Sequence, residues 1–215
     1  MAREGIPFVG GAVFLSLACW LASDWIAPLT YATAAFGVLT AFVVFFFRDP
    51  ERTPPPVPGA ILSAGDGKVV SIERLDADDE YLEGPGIRVS VFLSVFNVHV
   101  NRIPMAGKVD FVDWRTGRFR AAFALEASKE NQQSIIGISN GSSRLIVKQI
   151  VGIVARRIAC YLSAGDEVSL GQRFGLIRFG SRVDLILPDG VDIRVGVGDR
   201  VRGGETVIGV CSPHV

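Results

Sequence analysis

Ser181 is the side chain of this 215-residue chain whose setting is most suggestive of chemistry. It follows Gly180, and the pair stands between two short apolar runs of strand type, Gly175–Ile177 and Val183–Leu187. A glycine inside a strand pattern marks a bulge or a close backbone approach. It also leaves the Gly180 carbonyl carbon open to the hydroxyl of the next residue. A serine hydroxyl is a poor nucleophile until a neighbouring base takes its proton. The chain has two histidines, His99 and His214, and His214 lies next to the C-terminus, so His99 is the candidate base. An isolated Gly-Ser pair is ordinarily a simple kink. A second one, Gly141-Ser142, follows Asn140, and there turn chemistry accounts for it.

Four stretches, taken in order, change the weight of the first pair. They are Phe46-Phe47-Arg48-Asp49-Pro50-x-Arg52, Ser63-Ala64-Gly65-Asp66-Gly67-x-Val69, Phe96-Asn97-Val98-His99-Val100 and Arg178-Phe179-Gly180-Ser181-x-Val183. Each alone is weak. Together, from about residue 40 onward, they resemble the phosphatidylserine decarboxylase proenzymes, in the short form found in bacteria and archaea.

The resemblance implies a self-cleaving precursor. The Gly180–Ser181 bond would break by serinolysis, giving a β chain of 1–180 and an α chain of 181–215 whose first residue becomes a covalent pyruvoyl group. That group would condense with the amine of phosphatidylserine and accept the electron pair released with carbon dioxide, as pyridoxal phosphate does elsewhere. By the same resemblance Asp66 orients His99, as the carboxylate of a catalytic triad orients its histidine. Many relatives carry two histidines in this motif. Phe96 stands here in place of the first, which leaves the proton donor for decarboxylation unassigned and makes Phe96 a candidate substrate contact.

The elements that must position these residues fall into two parts. Residues 1–47 read as two apolar segments separated at Ser23-Asp24-Trp25, each near the roughly 20 residues that span a bilayer as a helix. Trp20 and Trp25 near the turn suit an interface, while Arg3, Arg48 and Arg52 at the other end predict a cytoplasmic side. The expectation is an anchor in the inner membrane, spanning or re-entrant. A hairpin buried in a protein core is the alternative. Residues 48–58, charged and then proline-rich, form a linker.

Residues 59–215 read as a mostly β catalytic domain, antiparallel, duplicated and barrel-sandwich-like. Strands are expected over 68–72, 87–94, 95–103, 132–139 and 144–151, with a short helix over 153–162 and an acidic loop over 76–83. The duplication shows in Gly165-Asp166-Glu167-Val168, with Gly171 beyond, against Gly198-Asp199-Arg200-Val201 and Gly204. Arg115, Arg118 and Arg120 alternate with Trp114 and Phe119. That pattern suits an anionic head group or lipid surface, and equally a solvated strand face. Glu130-Asn131 receives no role.

Composition excludes some classes. A formal net charge of zero argues against a nucleic-acid binder. Three cysteines without close spacing give neither a disulfide framework nor a metal site. The expected partners are phosphatidylserine in the membrane, the two chains of one precursor, and a further copy of the chain in a homo-oligomer. A different class remains open, a membrane-anchored barrel-sandwich adaptor or carrier without chemistry. It accounts for the hairpin and the Gly-Asp repeats but not for Gly180-Ser181 beside one central histidine. A carrier also needs a modifiable lysine at a turn tip, and Lys68 merely follows its turn.

Overall fold

The computed structural model describes residues 1–76, 81–122, 127–153, 157–178 and 180–211. The chain divides into two compact units, Met1–Glu51 and Arg52–Val215, and the division falls inside the 48–58 segment.

The first unit is a helical hairpin, α1 (Ile6–Ala22) and α2 (Leu29–Phe46). Both helices are apolar around their whole circumference, and most of that surface is uncovered. Phe14, Leu17, Trp20, Leu21, Tyr31 and Val38 all stand exposed. A core hairpin would bury such a surface; both helices are instead long and apolar enough to cross a membrane. The open end of the hairpin is tied shut by Ala2 N–H donating to Phe47 O at 2.8 Å and by Phe8 stacked on Phe47.

The second unit is mostly antiparallel β, in three sheets, with fourteen strands and one short helix among the described residues. In chain order these are β1 (Ala60–Leu62), β2 (Gly67–Leu75), β3 (Gly86–Leu93), β4 (Val100–Arg102), β5 (Gly107–Arg115), the helical turn α3 (Ala127–Glu130), β6 (Gln133–Ser139), β7 (Arg144–Ile150), β8 (Ile158–Cys160), β9 (Glu167–Val168), β10 (Arg173–Ile177), β11 (Ser181–Pro188), β12 (Val191–Ile193), β13 (Arg200–Val201) and β14 (Val207–Cys211). The main sheet has the order β13-β2-β3-β11-β7-β6-β5-β9, and smaller sheets run β1-β14-β12 and β4-β10-β8. Val69, Val91, Val183, Val147, Ile136 and Val109, from its six long strands, meet in one buried apolar core.

The Gly-Asp repeat builds the two edges of the main sheet in the same way. Gly165 and Gly198 take positive φ values of 96° and 104°, which glycine adopts without strain. Their amides donate to Val109 O and Val69 O, and Val109 N–H and Val69 N–H donate back to Asp166 O and Asp199 O. The Asp166 and Asp199 carboxylates each accept a backbone N–H three residues upstream, at 2.8 Å, from Ser163 and Gly196.

Two local expectations need correction. The run 95–103 is not one strand. Asn97 Oδ1 accepts from both Ser94 N–H (2.9 Å) and Ser94 Oγ–H (2.6 Å), closing a turn that leaves only β4 extended. The helix expected over 153–162 is a strand over Ile158–Cys160, because Cys160, Ala159 and Ile158 find ladder partners in Gly175, Leu176 and Ile177; residues 154–156 lie outside the described set. The hairpin expected around Asn140-Gly141 is present, with Ser139 paired to Arg144 across a four-residue loop. Of the acidic loop, 77–80 lie outside the described residues, as do Phe179 and His214.

Candidate active site

Ser181 is the first residue of β11, a central strand, and it is fully buried. Inward residues of that strand alternate from Ser181 through Val183, Leu185 and Leu187, so the hydroxyl faces the core side of the sheet. Ser181 Oγ has no hydrogen-bond partner among the described residues. A buried hydroxyl left unpaired costs about 1–3 kcal/mol, and such orphans call for an explanation. Gly180 sits in the left-handed region at φ 62°, where a side chain would cost roughly 1–2 kcal/mol, although a Cβ there would meet open space. Glycine is therefore needed at this position for its backbone conformation and not for clearance.

His99 is fully buried just before β4. Its strand is laid against β10, with Val100 opposite Leu176 and Ile177 N–H donating to His99 O at 3.4 Å. The chain leaves β10 at Ile177 and enters β11 at Ser181, so His99 flanks the start of the segment that carries Gly180–Ser181. Nδ1 of the imidazole lies 3.0 Å from Asn97 O. A carbonyl can only accept, so this contact puts the hydrogen on Nδ1 and leaves Nε2 with the lone pair a base needs. The group orienting Nδ1 is thus a backbone carbonyl, held in place by the Ser94–Asn97 turn, where a carboxylate was expected.

Asp66 occupies the turn between β1 and β2, and both its oxygens are engaged. Oδ1 accepts Gly203 N–H at 2.8 Å, and Oδ2 pairs with Arg52 Nη2 at 2.9 Å. Arg52 Nη1 also reaches Glu205 at 2.8 Å, so one little-exposed guanidinium bridges two carboxylates. The turn packs on β4: Arg102 N–H donates to Ala64 O at 2.9 Å, and a Cβ on Gly65 would touch the Asn101 side chain and Leu93 at 3.3 Å. Leu93 is the residue paired with Ser181. Fold and register therefore gather Asp66, His99 and Ser181 around β4 and the ends of β3 and β10.

Directly after Ser181 comes a fully buried ion pair. Arg182 Nε donates to Asp184 Oδ1 at 2.6 Å, Arg182 Nη2 to Ser90 Oγ at 2.5 Å, and Ser128 Oγ to Asp184 Oδ2 at 2.6 Å. Breaking such a pair from one side strands a buried charge, at about 3–5 kcal/mol. The network fastens β11 to β3 and α3.

The basic segment divides. Arg118 and Arg120 lie near Glu130, at 3.6 and 2.7 Å, and Arg115 ends β5 exposed. Phe96 is 68% exposed at the tip of the Ser94–Asn97 turn. Sequence reading missed Asn131, which is fully buried and ties together two segments that lie outside the strands, at Arg120 and Val151. Its Oδ1 accepts Arg120 N–H at 3.0 Å, and its Nδ2 donates to Arg120 O and Val151 O, both at 2.8 Å. It missed Arg52 as well, although Arg52 lies in a recognised motif.

Comparison with known proteins identifies the family. The family model for phosphatidylserine decarboxylase matches residues 39–209. Among curated relatives, the phosphatidylserine decarboxylase proenzyme of Desulfotalea psychrophila is 45% identical over 97% of this chain and 95% of its own length. That of Geobacter metallireducens is 41% identical over 98% and 96%. That of Syntrophotalea carbinolica is 45% identical over 97% and 95%. The chain belongs to the phosphatidylserine decarboxylase family and is an enzyme of the decarboxylase class.

Proposed function

We propose that this chain is a precursor that cuts itself between Gly180 and Ser181 and then decarboxylates phosphatidylserine to phosphatidylethanolamine at the pyruvoyl group formed from Ser181. The observation that carries the reading is the fully buried Ser181 Oγ, without a partner among the described residues, directly after a glycine at φ 62°. The relatives' proenzyme names support processing.

In this reading His99 Nε2 takes the Ser181 hydroxyl proton and Oγ attacks the Gly180 carbonyl carbon. The C–N bond breaks, the amine nitrogen takes a proton, and an ester joins Gly180 to Ser181 Oγ. Loss of the Ser181 Cα proton then expels the Gly180 carboxylate and leaves a dehydroalanine, which water converts to a pyruvoyl group and ammonia. The Asn97 carbonyl keeps His99 in the required tautomer, and Asp66 acts from its turn against β4 as the supporting carboxylate. When formed, the pyruvoyl group supplies an electron sink for the pair left by departing carbon dioxide. Cutting at the head of β11 leaves that strand paired with β3 through eight residues and with β7 through five, so the α chain stays in the sheet.

The apolar hairpin keeps the enzyme at the inner membrane, catalytic unit on the cytoplasmic side, where the lipid's acyl chains need not leave the bilayer. Arg115, Arg118, Arg120 and Phe96 are proposed contacts for the head group and lipid surface. Intact-mass analysis of active protein tests the reading: two chains, 1–180 and 181–215, are expected, the shorter one blocked to Edman sequencing. Active protein that remains one uncut chain would overturn it.

A further inference from the structure

Gly152 follows β7 and is buried, and a Cβ built on it would lie 2.1 Å from the Gly180 carbonyl oxygen. Real side chains never come so close, and the obstacle is a backbone atom that cannot swing aside. The preceding residue is fixed from both sides. Val151 N–H donates to Gln132 O at 3.1 Å, and Val151 O accepts from the Asn131 amide at 2.8 Å. The same Asn131 amide grips Arg120 O. Gly152 shows no positive φ, so its glycine is demanded by this contact and not by backbone conformation.

We infer that Gly152 is the seat of the carbonyl that is attacked in self-cleavage, and that Asn131 is the positioning residue that holds this seat. The inference rests on Gly180–Ser181 being the cleavage site. Attack on a carbonyl requires approach within a narrow cone, and displacement of about 1 Å can cost about a hundredfold in rate. As Ser181 Oγ adds, the Gly180 oxygen takes up negative charge and swings as its carbon becomes tetrahedral. A glycine beside it leaves room for that movement, while Asn131 keeps the wall from retreating. The seat therefore bears on formation of the ester and not on the later elimination.

The test follows cleavage of the full-length precursor over time, made by cell-free synthesis with phosphatidylglycerol–phosphatidylethanolamine vesicles, with and without hydroxylamine. Hydroxylamine cuts an ester but not an amide, so it reports whether the first step has occurred. Gly152→Ala should cleave about a hundredfold more slowly and stay uncut in hydroxylamine; combined with Ser181→Ala it should still fold, melting below the non-cleaving Ser181→Ala precursor. Gly190→Ala, at a glycine with open space around it, should cleave like wild type. Asn131→Ser, which cannot reach both Arg120 and Val151, should slow cleavage about tenfold with the same insensitivity to hydroxylamine. Wild-type cleavage in Gly152→Ala, or release of its fragment by hydroxylamine, would overturn the inference. Should Gly152→Ala fail to fold, Asn131→Ser decides: cleavage at the wild-type rate overturns the inference. Wild type that is not cut at Gly180–Ser181 would instead sink the reading on which it rests.

Discussion

The two edges of the main sheet are built alike and furnished differently. Gly67-Lys68-Val69 opens β2, and Gly107-Lys108-Val109 opens β5. Both strands run nine residues and carry a bulge just after the valine. A Cβ on Gly67 would lie 2.1 Å from Phe92 O, and one on Gly107 would lie 2.2 Å from Ser139 O. These glycines answer the same demand for close strand approach, so Gly67 belongs to the scaffold. The residue before it differs. Asp66 binds Gly203 and Arg52, while its counterpart Ala106 lines a cavity of about 470 Å³ with Met105 and Leu170. The two Gly-Ser pairs differ in the same way: Ser181 is fully buried behind a half-buried Gly180, and Gly141-Ser142 is exposed beside the cavity. The duplicated frame supplies positions, and the proposed chemistry uses one copy only.

The largest effect should separate the two serines. Ser181→Ala should abolish cleavage. Ser142→Ala should leave its rate unchanged, since the Ser142 hydroxyl does no more than donate to Asn140 Oδ1 at 3.0 Å in an exposed turn. Gels of freshly made precursor check both, and cleavage surviving in Ser181→Ala would remove the asymmetry. His99→Ala comes next, with cleavage slowed roughly a hundred- to ten-thousandfold through loss of the base. Normal cleavage in that variant would leave Ser181 without an activating group.

The middle-sized effect concerns the turns themselves. Asp66→Asn keeps an oxygen for Gly203 N–H but removes the charge facing Arg52, and should slow cleavage about a hundredfold through misplacement of the site. Ala106→Asp at the other edge should not alter the rate. Equal rates in wild type and Asp66→Asn would make Asp66 a scaffold residue like Gly67. If Asp66 acts only by keeping His99 in place, the two work as one unit, and His99→Ala/Asp66→Asn should cleave no more slowly than His99→Ala.

The legible part of this molecule was what repeats or alternates along the chain. The apolar hairpin, the strands on either side of Gly180-Ser181, the Gly-Asp edges and the order of the motifs are local patterns. The contacts that shape the site are long-range and carry no period. Asn131 bonds to residues eleven and twenty positions away, and Arg52 meets Glu205 across 153. Gly152 resembles any loop glycine until Gly180 lies against it. The stretch 95–103 was misread because valines and phenylalanine suit a strand, whereas the Asn97 side chain competes locally for Ser94 and wins. Residues 158–160 were misread because three residues take their conformation from the neighbouring strand, not from their own propensity.

The smallest effect tests the likeness of the two edges rather than their difference. Asp166→Ala and Asp199→Ala each remove one exposed carboxylate that accepts a backbone N–H at 2.8 Å. A hydrogen bond of this kind contributes about 0.5–1.5 kcal/mol net, because water competes for both partners. The backbone exchange of the two turns with Val109 and Val69 survives either change, so neither edge strand should be lost. Measured in the Ser181→Ala background, where cleavage cannot complicate the melt, the two variants should lower the melting temperature by similar small amounts. Cleavage of the otherwise wild-type precursor should proceed at its normal rate in both. An Asp199→Ala precursor that cleaves slowly while Asp166→Ala does not would show that the β13 edge, on the Asp66 side, is tuned for chemistry as well as for pairing.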